Sequence, residues 1–174
     1  TLVWHDEFEG GSVDAKGWKF ENWDKGRVNN ELQYYVAGGE FDGVETAFVK
    51  DGILNIRAQK YNGSKKFNDK TDINGQVISA RMNTREAWKY GYMEARIKLP
   101  KGKGTWPAFW MMPTDQSLGW PACGEIDIME EVGTHANYTS SSIHCKAYNH
   151  SIGTQKTKEK FTKGAEDEFH VYAV

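Results

Sequence analysis

The sequence predicts an all-β protein, and three features agree on this class. Helical periodicity is nearly absent, short segments alternate apolar and polar residues, and clusters of Gly, Asn and Asp separate those segments. Regularly spaced short strands with turn signals are typical of a sandwich or jelly roll. We therefore expect a β-sandwich of antiparallel sheets.

The strands can be assigned in order along the chain. Residues 48–57 predict a hairpin whose turn is Asp51–Gly52, a pair that favours tight two-residue turns. Residues 61–70 are polar and lysine-rich, which predicts a solvated surface loop. Alternation or apolar runs predict further strands at residues 77–84, 92–99, 109–112, 125–131 and 139–146, with a turn at residues 102–104.

The last residues also alternate like a strand. Residues 168–174 read Glu-Phe-His-Val-Tyr-Ala-Val, and the pattern then stops. A domain that ends in mid-strand exposes an unpaired edge or leaves its core unfilled. We expect additional chain to complete the sheet, either on a second polypeptide or beyond residue 174; the alternative is a natural terminal strand.

Composition limits the function classes. The 174 residues fit one domain with one sizeable core, and the net charge of −2 without a basic stripe argues against a nucleic-acid partner. The apolar runs are far too short to span a bilayer. Seven Trp and eight Tyr are many for a small domain. Flat rings stack on the apolar faces of sugars, so this excess favours a sugar-binding groove over a purely structural role.

The two cysteines, Cys123 and Cys145, have no metal-ligand spacing. They can form a disulfide only if the strands that carry them are neighbours with suitable geometry, and free thiols are equally compatible with the sequence.

The acidic segment 124–131, Gly-Glu-Ile-Asp-Ile-Met-Glu-Glu, carries the clearest chemical signal. Glu125 and Asp127 share a face of a strand, whereas Glu130 falls on the other face because it is an odd number of residues from Glu125. One extra residue near Ile128 or Met129, a β-bulge, would return Glu130 to the side of Glu125. Two carboxyl groups about 5–5.5 Å apart are what a retaining glycosidase needs. The alternative is an exposed strand with a row of solvated acids.

This segment is similar to the Glu-x-Asp-x-x-Glu signature of glycoside hydrolase family 16, in its laminarinase-like branch. Other segments resemble that family in the same order along the chain. These are Trp4–His5–Asp6–Glu7–Phe8 (the first strand), Asn29–Asn30–Glu31–Leu32–Gln33–Tyr34–Tyr35 (a cleft loop), Tyr90–Gly91–Tyr92–Met93–Glu94–Ala95–Arg96, Gly104–Thr105–Trp106–Pro107–Ala108–Phe109–Trp110–Met111 and Ile143–His144–Cys145–Lys146–Ala147–Tyr148–Asn149–His150.

The resemblance implies a β-jelly-roll sandwich of two antiparallel sheets with a concave, open substrate cleft. It also implies that residues 1–174 form a catalytic domain that is incomplete at its C-terminus, because domains of the family continue beyond this point with several more strands.

The resemblance further implies the catalytic roles. Glu125 would be the nucleophile that forms a glycosyl-enzyme, and Glu130 the general acid that later activates water as a base. Asp127 would share a proton or hydrogen bond with a neighbouring glutamate. Glu131 would point to the other face and be structural. The anomeric configuration would be retained, since substitution occurs twice.

Other positions would bind sugar or metal. The candidates for sugar stacking are Trp106, Trp110 and Trp120, and those for hydrogen bonding or lining are Asn29, Arg81 and His144. For three of them a plainer interpretation stays open: Trp110 as a core residue, Arg81 in a surface salt bridge and His144 in a structural role. No cofactor is expected for catalysis. A structural calcium ion is implied by the family, with backbone oxygens of Glu7 and Gly52 as its ligands in this chain.

The sequence therefore predicts an endo-acting laminarinase for β-1,3-glucan polysaccharides or oligosaccharides. Mixed-linkage β-1,3/1,4-glucan is an alternative substrate, and a galactan is disfavoured because few basic residues stand among the binding candidates. A non-catalytic β-glucan-binding protein is the alternative from another class, although both glutamates are present. A polymeric substrate implies a secreted, periplasmic or cell-surface location.

Overall fold

The structure, a computed structural model, describes residues 1–174 and divides them into two compact units, Thr1–Glu86 and Ala87–Val174. Every regular element is a β-strand except for two 3-10 helices of three residues each. The prediction of an all-β protein is confirmed. No helix has the length and apolar character needed to cross a membrane.

The first unit consists of short strands in four small sheets. The strands are β1 (Trp18–Phe20), β2 (Gln33–Tyr35), β3 (Glu40–Phe41), β4 (Val44–Glu45), β5 (Ala47–Lys50), β6 (Ile53–Ile56), β7 (Gln59–Lys60), β8 (Val77–Ser79) and β9 (Met82–Thr84). They pair as β1–β9, β2–β8–β7, β3–β4 and β5–β6, and all of these pairs are antiparallel except β2–β8, which is parallel. One 3-10 helix lies at Ala37–Gly39.

The predicted hairpin is present as β5 and β6. Asp51 and Gly52 both have positive φ, 53° and 72°, which is the requirement of a type I′ turn. The predicted strand at 77–84 is instead two strands, because the chain leaves the sheet at Ala80 and Arg81: β8 pairs with β2 and β7, whereas β9 pairs with β1.

The segment from Trp4 to Phe8 is not a strand, contrary to the expectation from the family resemblance. The Phe8 N–H donates to Asp6 Oδ1 at 2.9 Å, and Phe8 has a φ of 56°. This local turn competes with extended pairing.

The prediction of a solvated loop at residues 61–70 is wrong for its two aromatic residues. Tyr61 and Phe67 are each only 1% exposed and belong to the core of the unit. The Phe67 ring makes an edge-to-face contact with Tyr34, with centroids 5.1 Å apart, and the Tyr61 hydroxyl donates to Asp42 Oδ2 at 2.6 Å. The lysines of the segment remain exposed, so the polar composition of residues 61–70 gives no indication that Tyr61 and Phe67 are buried.

The strands of the second unit are β10 (Glu94–Ile97), β11 (Ala108–Met111), β12 (Glu125–Glu131), β13 (Tyr138–His144), β14 (Lys156–Phe161) and β15 (His170–Ala173). They form a four-stranded antiparallel sheet in the order β11–β12–β13–β14 and a separate antiparallel pair, β10–β15. The second 3-10 helix lies at His150–Ile152. Strand β14 was not predicted, because all six of its residues are exposed and three of them are lysines.

The buried core of this unit lies under the end of β12. Leu99, Met129 and Ala165 are at most 2% exposed, and partly buried apolar side chains from neighbouring strands pack on them. Glu131 is 1% exposed and accepts a hydrogen bond from the Asn137 N–H at 2.6 Å, which agrees with a structural role. The burial of Met129 and the hydrogen bond of buried Glu131 therefore hold the end of strand β12 in place.

Cys123 and Cys145 are both free thiols. Cys123 lies in the loop before β12, and Cys145 directly follows β13.

Candidate active site

A β-bulge in β12 places the acidic residues on one face. Against β11, Phe109 pairs with Met129 but the next residue, Trp110, pairs with Asp127. Against β13, Asp127 pairs with Ser142 while Glu130 pairs with Ser140, so three steps on β12 match two steps on β13. One extra residue at Ile128–Met129 therefore restores Glu130 to the face of Glu125 and Asp127, and the predicted bulge is confirmed.

Asp127 is at the centre of this row of carboxylates and is only 4% exposed. It shares a hydrogen bond with Glu125, and its Oδ2 lies 3.1 Å from His144 Nε2. Burial, together with the hydrogen bond to Glu125 and the negative charges of Glu125 and Glu130, raises the pKa of Asp127 to about 8. Asp127 is therefore a neutral carboxylic acid near pH 6, and its proton lies in the bond to Glu125.

Glu125 begins β12, where the indole of Trp120 reaches it. The Trp120 Nε1–H donates to Glu125 Oε2 at 2.5 Å. Together with the proton on Asp127, this gives the Glu125 carboxylate two donors. Donors of this kind stabilise an ionised carboxylate and fix the direction in which its free lone pairs point.

Glu130 is half-buried and receives the other indole. The Trp106 Nε1–H donates to Glu130 Oε1 at 2.9 Å. Burial, followed by the negative charge of Glu125, raises the pKa of Glu130 above its ordinary value, although the Trp106 N–H and positive charge on His144 and His150 act in the opposite direction. A carboxyl group whose pKa is raised in this way can remain protonated at the pH at which its neighbour is ionised.

Tryptophan and histidine rings border the row. Trp110 lies opposite Asp127 across the β11–β12 pair and so shares its face. His144 is 7% exposed and contacts Asp127 directly, which agrees with the structural role considered for it, while its lining of the cleft stays a prediction. Trp106 and Trp120 are 49% and 37% exposed, which leaves ring surface free for a ligand.

His150 was not identified from the sequence. Its ring packs on Trp120 with centroids 4.7 Å apart and on His144 at 5.3 Å. The buried Asn149 beside it donates through Nδ2 to the carbonyl of Cys145 at 3.2 Å, which fixes the loop. Only the short His-to-His spacing after β13 could have indicated this position.

Asn29 and Arg81 belong to the first unit. Asn29 is exposed with a φ of 52°, and the guanidinium of Arg81 lies 4.2 Å from the centre of the Trp23 ring. A cation over an aromatic face is a favourable contact, so packing on Trp23 holds the guanidinium of Arg81. Their proposed contacts with sugar stay predictions.

The structure brings together one group of potential metal ligands, formed by Glu125, Asp127 and His144, whose ligand atoms lie within 4.8 Å of one another. We assign no metal there, because these side chains already contact each other and the proton on Asp127 lowers the charge of the group. Glu7 has an exposed side chain 3.4 Å from His5, and Gly52 lies in the β5–β6 turn. Two backbone oxygens are a minority of the six to eight ligands that calcium takes, so the calcium site stays a prediction.

The arrangement has the components of a glycosidase. One carboxylate is oriented by two donors, a second carboxyl group has a raised pKa, and both lie on one face beside exposed indole rings. Such a pair can supply a nucleophile and a general acid to the same bond.

Comparison with known proteins identifies the family of the chain. Residues 41–174 match the family described as glycosyl hydrolases family 16. The chain belongs to this family, as the sequence motifs predicted, and its all-β architecture matches the jelly-roll structures of the family.

Similar proteins include the β-glucanase of Rhodothermus marinus, which is 41% identical over 99% of this chain and 58% of its own length. A solved structure of the laminarinase from Rhodothermus marinus has a TM-score of 0.86 and 40% identity, over 99% of this chain and 66% of that one. The structure of SCLam, a non-specific endo-β-1,3(4)-glucanase, has a TM-score of 0.85 and 42% identity, over 99% and 63%. The chain thus spans less than two thirds of the length of these proteins.

Proposed function

We propose that this protein hydrolyses internal bonds of β-1,3-glucan with retention of configuration. The observation that carries the proposal is the bulge in β12, which places Glu125 and Glu130 on one face with Asp127 between them. A regular strand would put Glu125 and Glu130 on opposite faces, where they could not act on one glycosidic bond.

In the first step Glu125 attacks the anomeric carbon. The bond from that carbon to the leaving oxygen breaks, and Glu130 delivers its proton to that oxygen. A covalent glycosyl-enzyme and a shortened glucan result. The raised pKa of Glu130 favours the protonated form that this step requires.

In the second step Glu130, now ionised, takes a proton from water. The water oxygen attacks the anomeric carbon, and the bond to Glu125 breaks. The Trp120 N–H and the Asp127 proton stabilise the carboxylate as it leaves. Two inversions at one carbon give net retention, and both glutamates return to their starting protonation states.

The indoles suit a sugar substrate. Trp106 and Trp120 each direct an N–H toward one catalytic carboxylate and leave part of the ring exposed. A glucose ring stacked on this exposed surface would lie next to the reacting groups. We include Trp110, Asn29, Arg81 and His144 as further sugar contacts.

Mixed-linkage β-1,3/1,4-glucan is the second candidate substrate. The similar protein SCLam is a non-specific endo-β-1,3(4)-glucanase. The linkage preference depends on loops and subsites rather than on the acids, and both substrates belong in the first assay.

Three expectations accompany the proposal. A polymeric substrate places the activity outside the cytoplasm, by secretion, in the periplasm or on the cell surface. Calcium at the backbone of Glu7 and Gly52 would act structurally. A second chain that adds strands stays a prediction.

The test is the release of reducing ends from laminarin and from mixed-linkage glucan by the purified protein. Glu125→Ser should lower the rate of release at least about a thousandfold, because it removes the nucleophile. Glu131→Gln is the matched control: it changes the neighbouring acid on the opposite face, keeps a side-chain oxygen that can accept from the Asn137 N–H, and should keep the activity. Binding of laminarin without any cleavage by the wild-type protein would move the protein to the glucan-binding class.

A further inference from the structure

Three rings form an exposed row at the far end of the carboxylate face. Strand β13 is regular, so alternate residues share one face; these are Tyr138, Ser140, Ser142 and His144. Because His144 contacts Asp127, this is the face of the sheet that carries the carboxylates. Tyr138 pairs with Phe161 on β14. Directly opposite residues of an antiparallel pair share a face, so both rings lie on the carboxylate face of the sheet.

The rings are ordered by mutual contact and remain open to solvent. His135 stacks on Tyr138 with centroids 3.8 Å apart and planes at 13°, and Tyr138 meets Phe161 at 5.3 Å. Tyr138 is 36% and Phe161 53% exposed. We call His135, Tyr138 and Phe161 the aromatic row.

The polar neighbours of the aromatic row are acids and hydroxyls. Glu159 lies opposite Ser140, and its Oε2 is 3.4 Å from His135 Nδ1. No Lys or Arg lies on this face of β13 or β14, whereas the opposite face of β14 carries Lys156, Lys158 and Lys160. Flat rings beside a carboxylate and a hydroxyl match the apolar faces and hydroxyl groups of a neutral sugar.

The aromatic row is continuous with the carboxylate row. Glu130 pairs with Ser140, which pairs with Glu159, and the rings begin two residues along β13. A diagonal neighbour of this kind lies about 7–8 Å away, so a sugar chain that leaves Glu130 can reach Tyr138 and then Phe161.

We propose that the aromatic row binds sugar rings of the same neutral glucan chain, away from the bond that is cut. This inference rests on the proposed function and adds a binding surface to it. A polymer would contact both sites at once, whereas a short oligosaccharide would fill only the cleavage site.

The test compares Tyr138→Ala, Phe161→Ala and the double variant with Lys158→Ala, an exposed residue on the opposite face of β14. Migration of the folded proteins through native gels that contain laminarin measures binding without catalysis. Each ring removed should weaken retardation about three- to tenfold, and Tyr138→Phe should keep it. KM for laminarin should rise by a similar factor, while kcat/KM for the shortest cleaved oligosaccharide should stay within twofold.

The possible results separate the two proposals. Unchanged retardation in the double variant, or equal losses on polymer and short oligosaccharide, would overturn the binding surface. Dimers of the wild-type protein that dissociate in the double variant would assign the aromatic row to a second copy of the chain instead. If the wild-type protein cleaves nothing, the proposed hydrolysis fails, but the gels still decide whether the aromatic row binds glucan.

Discussion

Asp127→Asn is the change that the electrostatics of the site predict most specifically. With a pKa raised to about 8, Asp127 is predominantly protonated at pH 6. An asparagine amide can donate to Glu125 as the acid proton does, and its oxygen can remain beside His144. We therefore expect kcat/KM of Asp127→Asn on laminarin at pH 6 to stay within about tenfold of wild type.

Asp127→Ala provides the contrast. It removes the donor to an ionised carboxylate, an interaction worth about 1.5–3 kcal/mol, which corresponds to a loss of about 10- to 150-fold in kcat/KM. Release of reducing ends at pH 6 measures both variants. If Asn is as damaging as Ala at this pH, Asp127 is not acting as a neutral donor and the assignment of its proton is wrong.

The same proton links stability to pH. The folded-state pKa of Asp127 is raised from 3.8 to about 8, so between these values the folded state holds a proton that the unfolded state has lost. The contribution is fully present below pH 3.8 and disappears as pH rises through 8. Asp127→Asn should remove this dependence of stability on pH. The Tm of the variant should therefore rise relative to that of wild type as pH increases. At pH 8 the difference should change by at least 2–4 °C, which is the shift that about 1 kcal/mol produces. Parallel Tm curves for the two proteins would contradict this linkage.

Three further changes test separate features. Trp106→Phe removes an N–H that stabilises ionised Glu130, so the pKa of Glu130 should rise and the alkaline limb of kcat/KM should move up by about 0.5–1 pH unit; a downward shift would contradict the assignment. Phe67→Ala should cost about 3–5 kcal/mol in urea unfolding, against less than about 0.5 for Lys66→Ala; equal costs would place Phe67 outside the core. Gly39→Ala should cost at least about 1–2 kcal/mol in the same assay, because the position has a φ of 76° and a Cβ there would lie 2.7 Å from a backbone oxygen; an unchanged midpoint would contradict that backbone conformation.

Much of the candidate site could be predicted from the sequence because strand geometry is simple. The odd spacing between Glu125 and Glu130 is compatible with a shared face only if one residue is added, and this arithmetic located the bulge at Ile128–Met129. The turn at Asp51–Gly52 could also be predicted, because both positions need positive φ and an Asp-Gly pair favours that conformation.

Other features depend on contacts that a linear pattern does not contain. Tyr61 and Phe67 are buried through long-range packing, although the lysines around them give a polar average. The Asp6–Phe8 turn shows that a segment with the composition of a strand can instead hydrogen-bond to itself. His150 reaches Trp120 only because the loop after β13 folds back on Asn149. For Tyr61, Phe67 and His150 tertiary contacts decide between local alternatives that the sequence leaves close in energy.

The central claim is that Glu125 is the nucleophile and Glu130 the acid and base on the same face of β12. The most direct test is to offer azide and an activated β-glucoside of laminaribiose to Glu125→Ala and to Glu130→Ala, and to assign the glycosyl azide products by NMR. Azide that replaces Glu125 attacks from the vacated face and should give the α-glycosyl azide. Azide that intercepts the glycosyl-enzyme in Glu130→Ala should give the β-glycosyl azide. The same configuration from both variants, or the two configurations exchanged, would contradict the assigned roles.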